Sequence, residues 1–304
     1  MGAGTLETGN YCPSTEAAVR AFQDGRGLRP DGRCDDQTWA ALVEASWSLG
    51  DRLLYHRSPN LRGDDVAELQ RRLGRLGFDA GRVDGIFGPL AQEALRDFQR
   101  NSGLVDDGIL GPETLDTLLR VGSKTNGQDV VAAIRERQRL RESPRTLHGR
   151  RVVVGETGGL SALADRTKRA LSRAGAVVTT LHDPDGSVQA GQANALDGEV
   201  YLGLGLDPEH PGCTTAYFLG YNGVSSEGGR RLAEALQVAL PFRLKIPDRG
   251  TQGMRLAVLR ETRMPAVLLE IGPPAVVVER AADLAAAITE ALEQWVSAPC
   301  DDQP

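Results

Sequence analysis

The apolar run 263–272 carries Ala266, Val267, Leu268 and Leu269 and then places one carboxylate, Glu270, at its end. A carboxylate at the end of an apolar strand is poorly hydrated, which favours a raised pKa. Its other options are an ion pair with a base such as Arg243, Lys245 or Arg263, or plain hydration at a sheet edge. Around it the chain offers few groups for chemistry. In this half the imidazoles are His182 and His210, with His148 just ahead, and their spacing to Glu270 matches no ligand set. The cysteines Cys12, Cys34, Cys213 and Cys300 lie far apart and lack the Cys-x-x-Cys pairing of a sulfur-held metal. Cys213 follows His210 by three residues, a spacing that reads as a buried thiol before it reads as a nucleophile. The paired glycines after residue 155 fit neither a P-loop nor a dinucleotide fingerprint, and there is no Gly-x-Ser-x-Gly elbow.

The elements that must position these groups alternate between apolar runs and helical stretches from residue 151 onward, the pattern of an α/β domain with a sheet flanked by helices. Strands are expected at 151–155, 176–181, 199–206, 214–219, 257–260 and 266–271. Helices are expected at 160–174, 187–195 and 226–240, with a last one from about 278 or 280 to 295.

The first 45 residues repeat over 85–120 at a constant offset of 76. Ala18, Phe22, Gln23, Gly27, Leu28, Asp31, Gly32 and Thr38 fall on Ala94, Phe98, Gln99, Gly103, Leu104, Asp107, Gly108 and Thr114 without a gap. In the second copy Asp64 is the expected cap of a helix in which Val66, Leu69, Gln70, Leu73 and Leu76 recur at helical spacing. A turn at 83–88, a helix at 89–101 opened by Pro89, a second turn at Asp107-Gly108 and a third helix from Pro112 complete an all-α module. The first copy has no room for the opening helix, so the expectation is either a true start upstream or a compromised module. Cys12 and Cys34 flank its middle helix and are either two buried thiols or a disulfide.

Between the halves, 122–127 reads as linker and Asp129 as the cap of a basic helix. Arg135, Arg137, Arg139 and Arg141, joined by Arg145, Arg150 and Arg151, make either a solvated spacer or a surface for an acidic partner. The net charge of −6 argues against a broad nucleic-acid surface. No apolar run is long enough to span a membrane. With neither a basic start nor an apolar core in its first 10 residues, the chain as written is expected in the cytoplasm, or in the cell wall if its true N-terminus lies upstream.

Leu69-Gln70, Asp84-Gly85, Phe87-Gly88-Pro89, Phe98-Gln99 and Asp107-Gly108-Ile109-Leu110-Gly111 resemble the small peptidoglycan-binding domain found in tandem on cell-wall hydrolases. That resemblance implies ligand-binding roles for Asp84, Gly85, Phe87, Gln99 and Asp107. The second half resembles the catalytic domain of zinc-dependent N-acetylmuramoyl-L-alanine amidases, through Gly158-Gly159, Gln192-Ala193-Asn194, Ser226-Glu227-Gly228-Gly229, Leu256 to Thr262 and the strand ending at Glu270. By that resemblance Glu270 is the catalytic acid or base on a zinc-bound water. The family holds its zinc with two histidines and a second glutamate. Here Thr157 and Gly205 stand at the histidine positions, the glutamate segment is shortened to leave Glu156, and Pro273-Pro274-Ala275 replaces the residues after the catalytic strand. The implied organisation is a first binding module at 1–48, a second at 58–121, a basic linker helix within 122–150 and an amidase-like domain at 151–298. The implied function is a peptidoglycan- or muropeptide-binding protein with a zinc-less, inactive amidase domain that regulates cell-wall metabolism. The alternative is an active amidase cutting between muramic acid and stem peptide.

Overall fold

The computed structural model describes residues 9–122 and 131–300, and the predicted linker residues 123–127 and cap Asp129 lie outside them. The chain divides into two compact units, residues 1–135 with 220–224, and residues 136–219 with 225–304. No helix among the described residues is long and apolar enough to cross a membrane.

The first unit is all α. Helices α1 (Pro13–Gly25) and α2 (Asp36–Ala45) form the described part of the first repeat, and α3 (Asp64–Arg75), α4 (Pro89–Asn101) and α5 (Pro112–Gly122) form the second. Proline opens α1 and α4, where its missing N–H would have no intrahelical acceptor anyway. The expected cap of α3 is displaced by one residue: Gly63 is the N-cap and Asp64 is the first helical residue. Glycine is needed there because a Cβ would strike the carboxylate of Asp65, which is buried and held by Arg52 at 2.7 Å. Asp64 instead accepts both terminal nitrogens of Arg26 at 2.7 Å each. Val66, Leu69 and Leu73 of α3 pack on Leu95 and Phe98 of α4 and Leu118 of α5, the core that the helical spacing predicts. In the first repeat Phe22 is half-buried and Tyr11 exposed, whereas their counterparts Phe98 and Phe87 are buried.

The second unit is α/β. After α6 (Val131–Glu142), six strands form one sheet in the order β2-β1-β3-β6-β4-β5: β1 (Arg151–Glu156), β2 (Val177–His182), β3 (Val200–Leu206), β4 (Gly212–Phe218), β5 (Asp248–Met254) and β6 (Ala266–Gly272). Neighbours run parallel except β4 and β6, which are antiparallel. Side chains of α7 (Ser161–Arg173), α9 (Glu227–Leu244) and α12 (Ala281–Ser297) cover one face with the larger core, including Leu171, Leu236 and Leu292. Helices α8 (Gly186–Ala195) and α10 (Ala257–Glu261) cover the other through Ala193, Val258 and Leu259 against Tyr201 and Leu268. The short helix α11 (Pro274–Glu279) precedes α12.

Two expectations are corrected. The run 257–260 is helix α10, not a strand: Leu259 and Arg260 donate to Leu256 O at 3.0 and 2.9 Å. A short apolar run is compatible with either state, and burial of Val258 and Leu259 against one sheet face satisfies it as a helix. The strand missed nearby is β5, a polar, glycine-containing edge strand with no apolar run to announce it. Helix α9 also continues through Pro241 to Leu244, ending on left-handed Lys245 at φ 54°.

Candidate functional site

Side chains alternate across a strand, so Tyr201, Gly203 and Gly205 of β3 share the α8/α10 face with Ala266, Leu268 and Glu270 of β6. Register pairs Gly205 with Glu270 directly and Gly155 of β1 with Gly203. Thr157 lies just past the end of β1, in an exposed bend. Of the three positions that the amidase resemblance singles out, Gly205 and Glu270 therefore share one face of the sheet. Glu270 is half-buried, and its stem crosses over Gly205, where an added Cβ would meet Glu270 Cγ at 3.2 Å. Of the expected partners of Glu270, Arg243 lies 3.3 Å from Glu290 on α12.

The opposite face of the same sheet end holds a second carboxylate. Glu156 is 4% exposed at the end of β1 and accepts four hydrogen bonds. The donors are the N–H groups of Gly158 (2.8 Å) and Leu160 (3.1 Å), the Ser161 hydroxyl (3.0 Å) and His182 Nδ1 (2.8 Å). Burial works against its charge, but the His182, Leu160, Ser161 and Gly158 donors overcome that, and Glu156 stays below the usual carboxylate range. Parallel register sets Glu156 opposite His182 at the ends of β1 and β2. Sequence reasoning noted both residues without pairing them, because the pairing depends on register.

His210 sits elsewhere, in the β3–β4 loop, with Nδ1 at 3.2 Å from both oxygens of Asp207. Asp207 also accepts from Arg249 Nη1 at 2.5 Å and from the N–H groups of Glu209 and His210. Burial would raise its pKa, yet the Arg249 bond and the two amides pull it down to about 2. Cys213, buried on β4, is pushed up to about 12 by desolvation and then by Asp248, the opposite of what a nucleophile needs.

A catalytic zinc takes three protein ligands and keeps a position for water. Among the described residues no three His, Cys, Asp or Glu side chains converge. His182 is turned to Glu156, His210 to Asp207, and both Glu156 oxygens are already occupied by donors. Gly205 contributes no donor atom. The residues present do not fit the group.

In the binding modules the predicted ligand residues build the turns themselves. Gln99, 1% exposed, donates to Asp107 Oδ1 (2.9 Å), Ile109 O (3.1 Å) and Thr114 Oγ1 (3.2 Å) and accepts from Gly108 N–H (2.9 Å). Gln70 makes the same contacts with Asp84 Oδ1 (2.8 Å), Ile86 O (3.1 Å) and Gly85 N–H (2.8 Å). Gln23 repeats them with Asp31 Oδ1 (2.9 Å), Arg33 O (2.8 Å), Thr38 Oγ1 (3.0 Å) and Gly32 N–H (2.8 Å). Each turn needs its glycine, since Gly32, Gly85 and Gly108 have φ of 76°, 73° and 74°. Phe87 is fully buried.

The basic segment is partly consumed inside the fold. Arg135 pairs with Asp79, and Arg137 Nε donates to Glu227 Oε2 at 2.9 Å. Arg150 is buried over the Trp295 ring, and Arg151 Nε donates to Asp197 O at 2.7 Å. Arg139, Arg141 and Arg145 remain exposed. The thiols of Cys12 and Cys34 are free, and neither is buried: Cys12 is half-exposed and Cys34 exposed.

A sequence model described as a putative peptidoglycan binding domain matches residues 3–42 and 62–118. The chain is 36% identical over 286 residues to N-acetylmuramoyl-L-alanine amidase CwlM of Mycobacterium tuberculosis, covering 84% of this chain and 70% of that protein. A spore cortex-lytic enzyme of Oceanobacillus iheyensis is 46% identical over 61 residues, 20% of this chain and 22% of its own length. Among solved structures, N-acetylmuramoyl-L-alanine amidase from Clostridium difficile 630 aligns with 50% of this chain and 98% of its own at 18% identity and a TM-score of 0.42. The mycobacterial protein matches 84% of this chain at 36% identity, and the chain belongs to the N-acetylmuramoyl-L-alanine amidase family.

Proposed function

We propose that this protein binds peptidoglycan or muropeptides and acts as a regulator of cell-wall metabolism, with an amidase-like domain that holds no catalytic zinc. The observation that carries the reading is the pair Gly205 and Glu270. The carboxylate that would work on a metal-bound water is kept, while the residue facing it in register has no side chain to bind a metal. Two repeats that match a peptidoglycan-binding domain support the binding half of the proposal. Exposed Arg139 and Arg145 offer positive charge to an acidic partner protein, which is the regulatory part of the reading.

The second reading is an active amidase that hydrolyses the link between muramic acid and the stem peptide, favoured by the identity to a relative named as such an enzyme. One experiment separates the two. The purified protein is assayed for bound metal by mass spectrometry and for stem-peptide release from a defined muropeptide, alongside Glu270→Gln. Metal-free, inactive protein that still binds the muropeptide supports the first reading. Stoichiometric zinc together with cleavage abolished in Glu270→Gln establishes the second.

A further inference from the structure

Two of the four thiols lie at the same end of the first module. Cys12 is the N-cap of α1, and its sulfur lies 2.9 Å from Ser14 Oγ and 3.4 Å from Thr15 Oγ1. Cys34 lies in the exposed turn that leads into α2. That turn folds back onto the start of α1: the Tyr11 hydroxyl donates to Gly32 O, and a Cβ on Gly32 would press on Glu16 in the first turn of the helix. Cys34 is close enough to Tyr11 to act on its phenol, whose pKa is raised first by desolvation and next by that thiol. Cys34 lies outside any helix, and Cys12, whose carbonyl accepts the Glu16 N–H at 3.0 Å, sits at the first turn of α1. The other two thiols, Cys213 and Cys300, are buried.

We propose that Cys12 and Cys34 form a thiol–disulfide exchange pair, with Cys12 as the attacking sulfur, Cys34 as the resolving one, and a low-molecular-weight disulfide as the oxidant. In the first step the Cys12 thiolate attacks one sulfur of the small disulfide. An S–S bond forms to Cys12, and the other half leaves as a thiolate. In the second step the Cys34 thiolate attacks the Cys12 sulfur, forming the protein disulfide and expelling the remaining small thiolate. Two protein thiols are oxidised by two electrons, the small disulfide is reduced to two thiols, and the protons lost by the cysteines are available to the leaving thiolates. The geometry assigns the order. Ser14 and Thr15 hydroxyls and the amides at the helix start stabilise a thiolate at Cys12, lowering it to about 6, whereas an unassisted cysteine titrates near ~8.5. The first copy carries this pair where the second has Gly88 and Leu110, so the feature belongs to one module only.

The test uses the full chain, glutathione disulfide as probe, and intact-mass and peptide mapping after acid quench. The expected result in the parent protein is a Cys12–Cys34 linkage with no glutathione retained. Cys34→Ser is expected to accumulate one glutathione on Cys12, and Cys12→Ser to react about two- to threefold more slowly near pH 7, because the sulfur whose thiolate the Ser14 and Thr15 hydroxyls stabilise is gone and the lower intrinsic nucleophilicity of such a thiolate offsets part of its greater abundance. Serine is a good N-cap, so Cys12→Ser keeps α1, and far-UV circular dichroism checks it. A stable glutathione adduct on Cys12 in the parent protein, or equal rates for Cys12→Ser and parent, overturns the proposal. So does a parent protein that stays fully reduced while its Cys12 peptide is labelled freely by an alkylating reagent.

Discussion

Gln99 is the residue at which a ligand-binding and a turn-building role diverge most cleanly, so Gln99→Ala is the informative perturbation. The side chain has four partners. Asp107 and Ile109 are exposed, so their oxygens turn to water when the amide is removed and cost little. Thr114 is buried, but its hydroxyl can rotate toward a carbonyl of the preceding turn. The Gly108 N–H has no such freedom: it is buried and points at the position of the missing Gln99 Oε1. Leaving one buried donor unmade costs about 1–3 kcal/mol, and truncating a buried side chain adds about 1 kcal/mol or more, for a total near 3 kcal/mol. Urea unfolding of the full chain, followed by circular dichroism and by the fluorescence of Trp39 and Trp47, measures this directly. Muropeptide binding measured well below the transition should survive. The reasoning is refuted if Gln99→Ala unfolds within about 0.5 kcal/mol of the parent while binding is lost, for Gln99 would then be serving a ligand and not the turn. Gln23→Ala removes the same set of bonds in the first module and should report a cost of the same order.

Glu156→Gln should flatten the acid limb of the second unit's stability curve. A carboxylate whose folded pKa is depressed contributes stability above its unfolded value, about 4.3, and loses it as pH falls through the folded value, so thermal melts between about pH 6 and 3 should converge for parent and variant at the acid end. Asp207→Asn should act the same way over a lower window, between about 3.9 and about 2, with loss of the Arg249 contact seen as earlier proteolysis of the β3–β4 loop. Gly272→Ala should be severe, about 3 kcal/mol or more, because a Cβ there runs into the carbonyl oxygens of Asp207 and His210, which are backbone and cannot step aside. Gly205→Ala should cost less, about 1 kcal/mol, since the tightest contact of its new Cβ is Glu270 Cγ at 3.2 Å, a side-chain atom and not backbone; differential scanning calorimetry of the two variants checks the contrast.

What the sequence made legible follows from how each element earns its burial. Helices α3 and α4 bury a stripe, so Leu69, Leu73, Leu95 and Phe98 recur at helical spacing and declare it. Strands β1, β3 and β6 lie inside the sheet and read as continuous apolar runs. Edge strand β5 has one neighbour and a largely exposed surface, so nothing in Asp248 to Met254 distinguishes it from a loop. Helix α10 has only five residues, too few for periodicity to separate helix from strand. The side-chain partnerships were the least legible. Gln23, Gln70 and Gln99 announce themselves as repeats but not as braces, because a brace is defined by the turn it fills. Glu156 and His182 are 26 residues apart and meet only through parallel register.

The glycines on the α8/α10 face of the sheet are hemmed in to different degrees, and this bears on how the site could be altered. A Cβ on Gly155 would collide with the Tyr201 hydroxyl and the Gln189 amide, which bond each other at 2.7 Å in the buried space above it. A Cβ on Gly203 would meet Leu268 Cδ1 at 2.9 Å and Tyr201 Cε1 at 3.2 Å. A Cβ on Gly205 would meet the side chain of Glu270, at 3.2 Å from Cγ. The α8/α10 face is therefore packed with side chains up to the level of Gly203, and Glu270 leans into what space remains at its end. Placing a histidine at Gly205 alone would displace the carboxylate it was meant to serve, and Thr157 would still offer no imidazole. Recovering a three-ligand metal site would thus take concerted change at Thr157, Gly205 and the Glu156 loop, whose carboxylate would first have to give up four donors that hold β1, β2 and the start of α7 together.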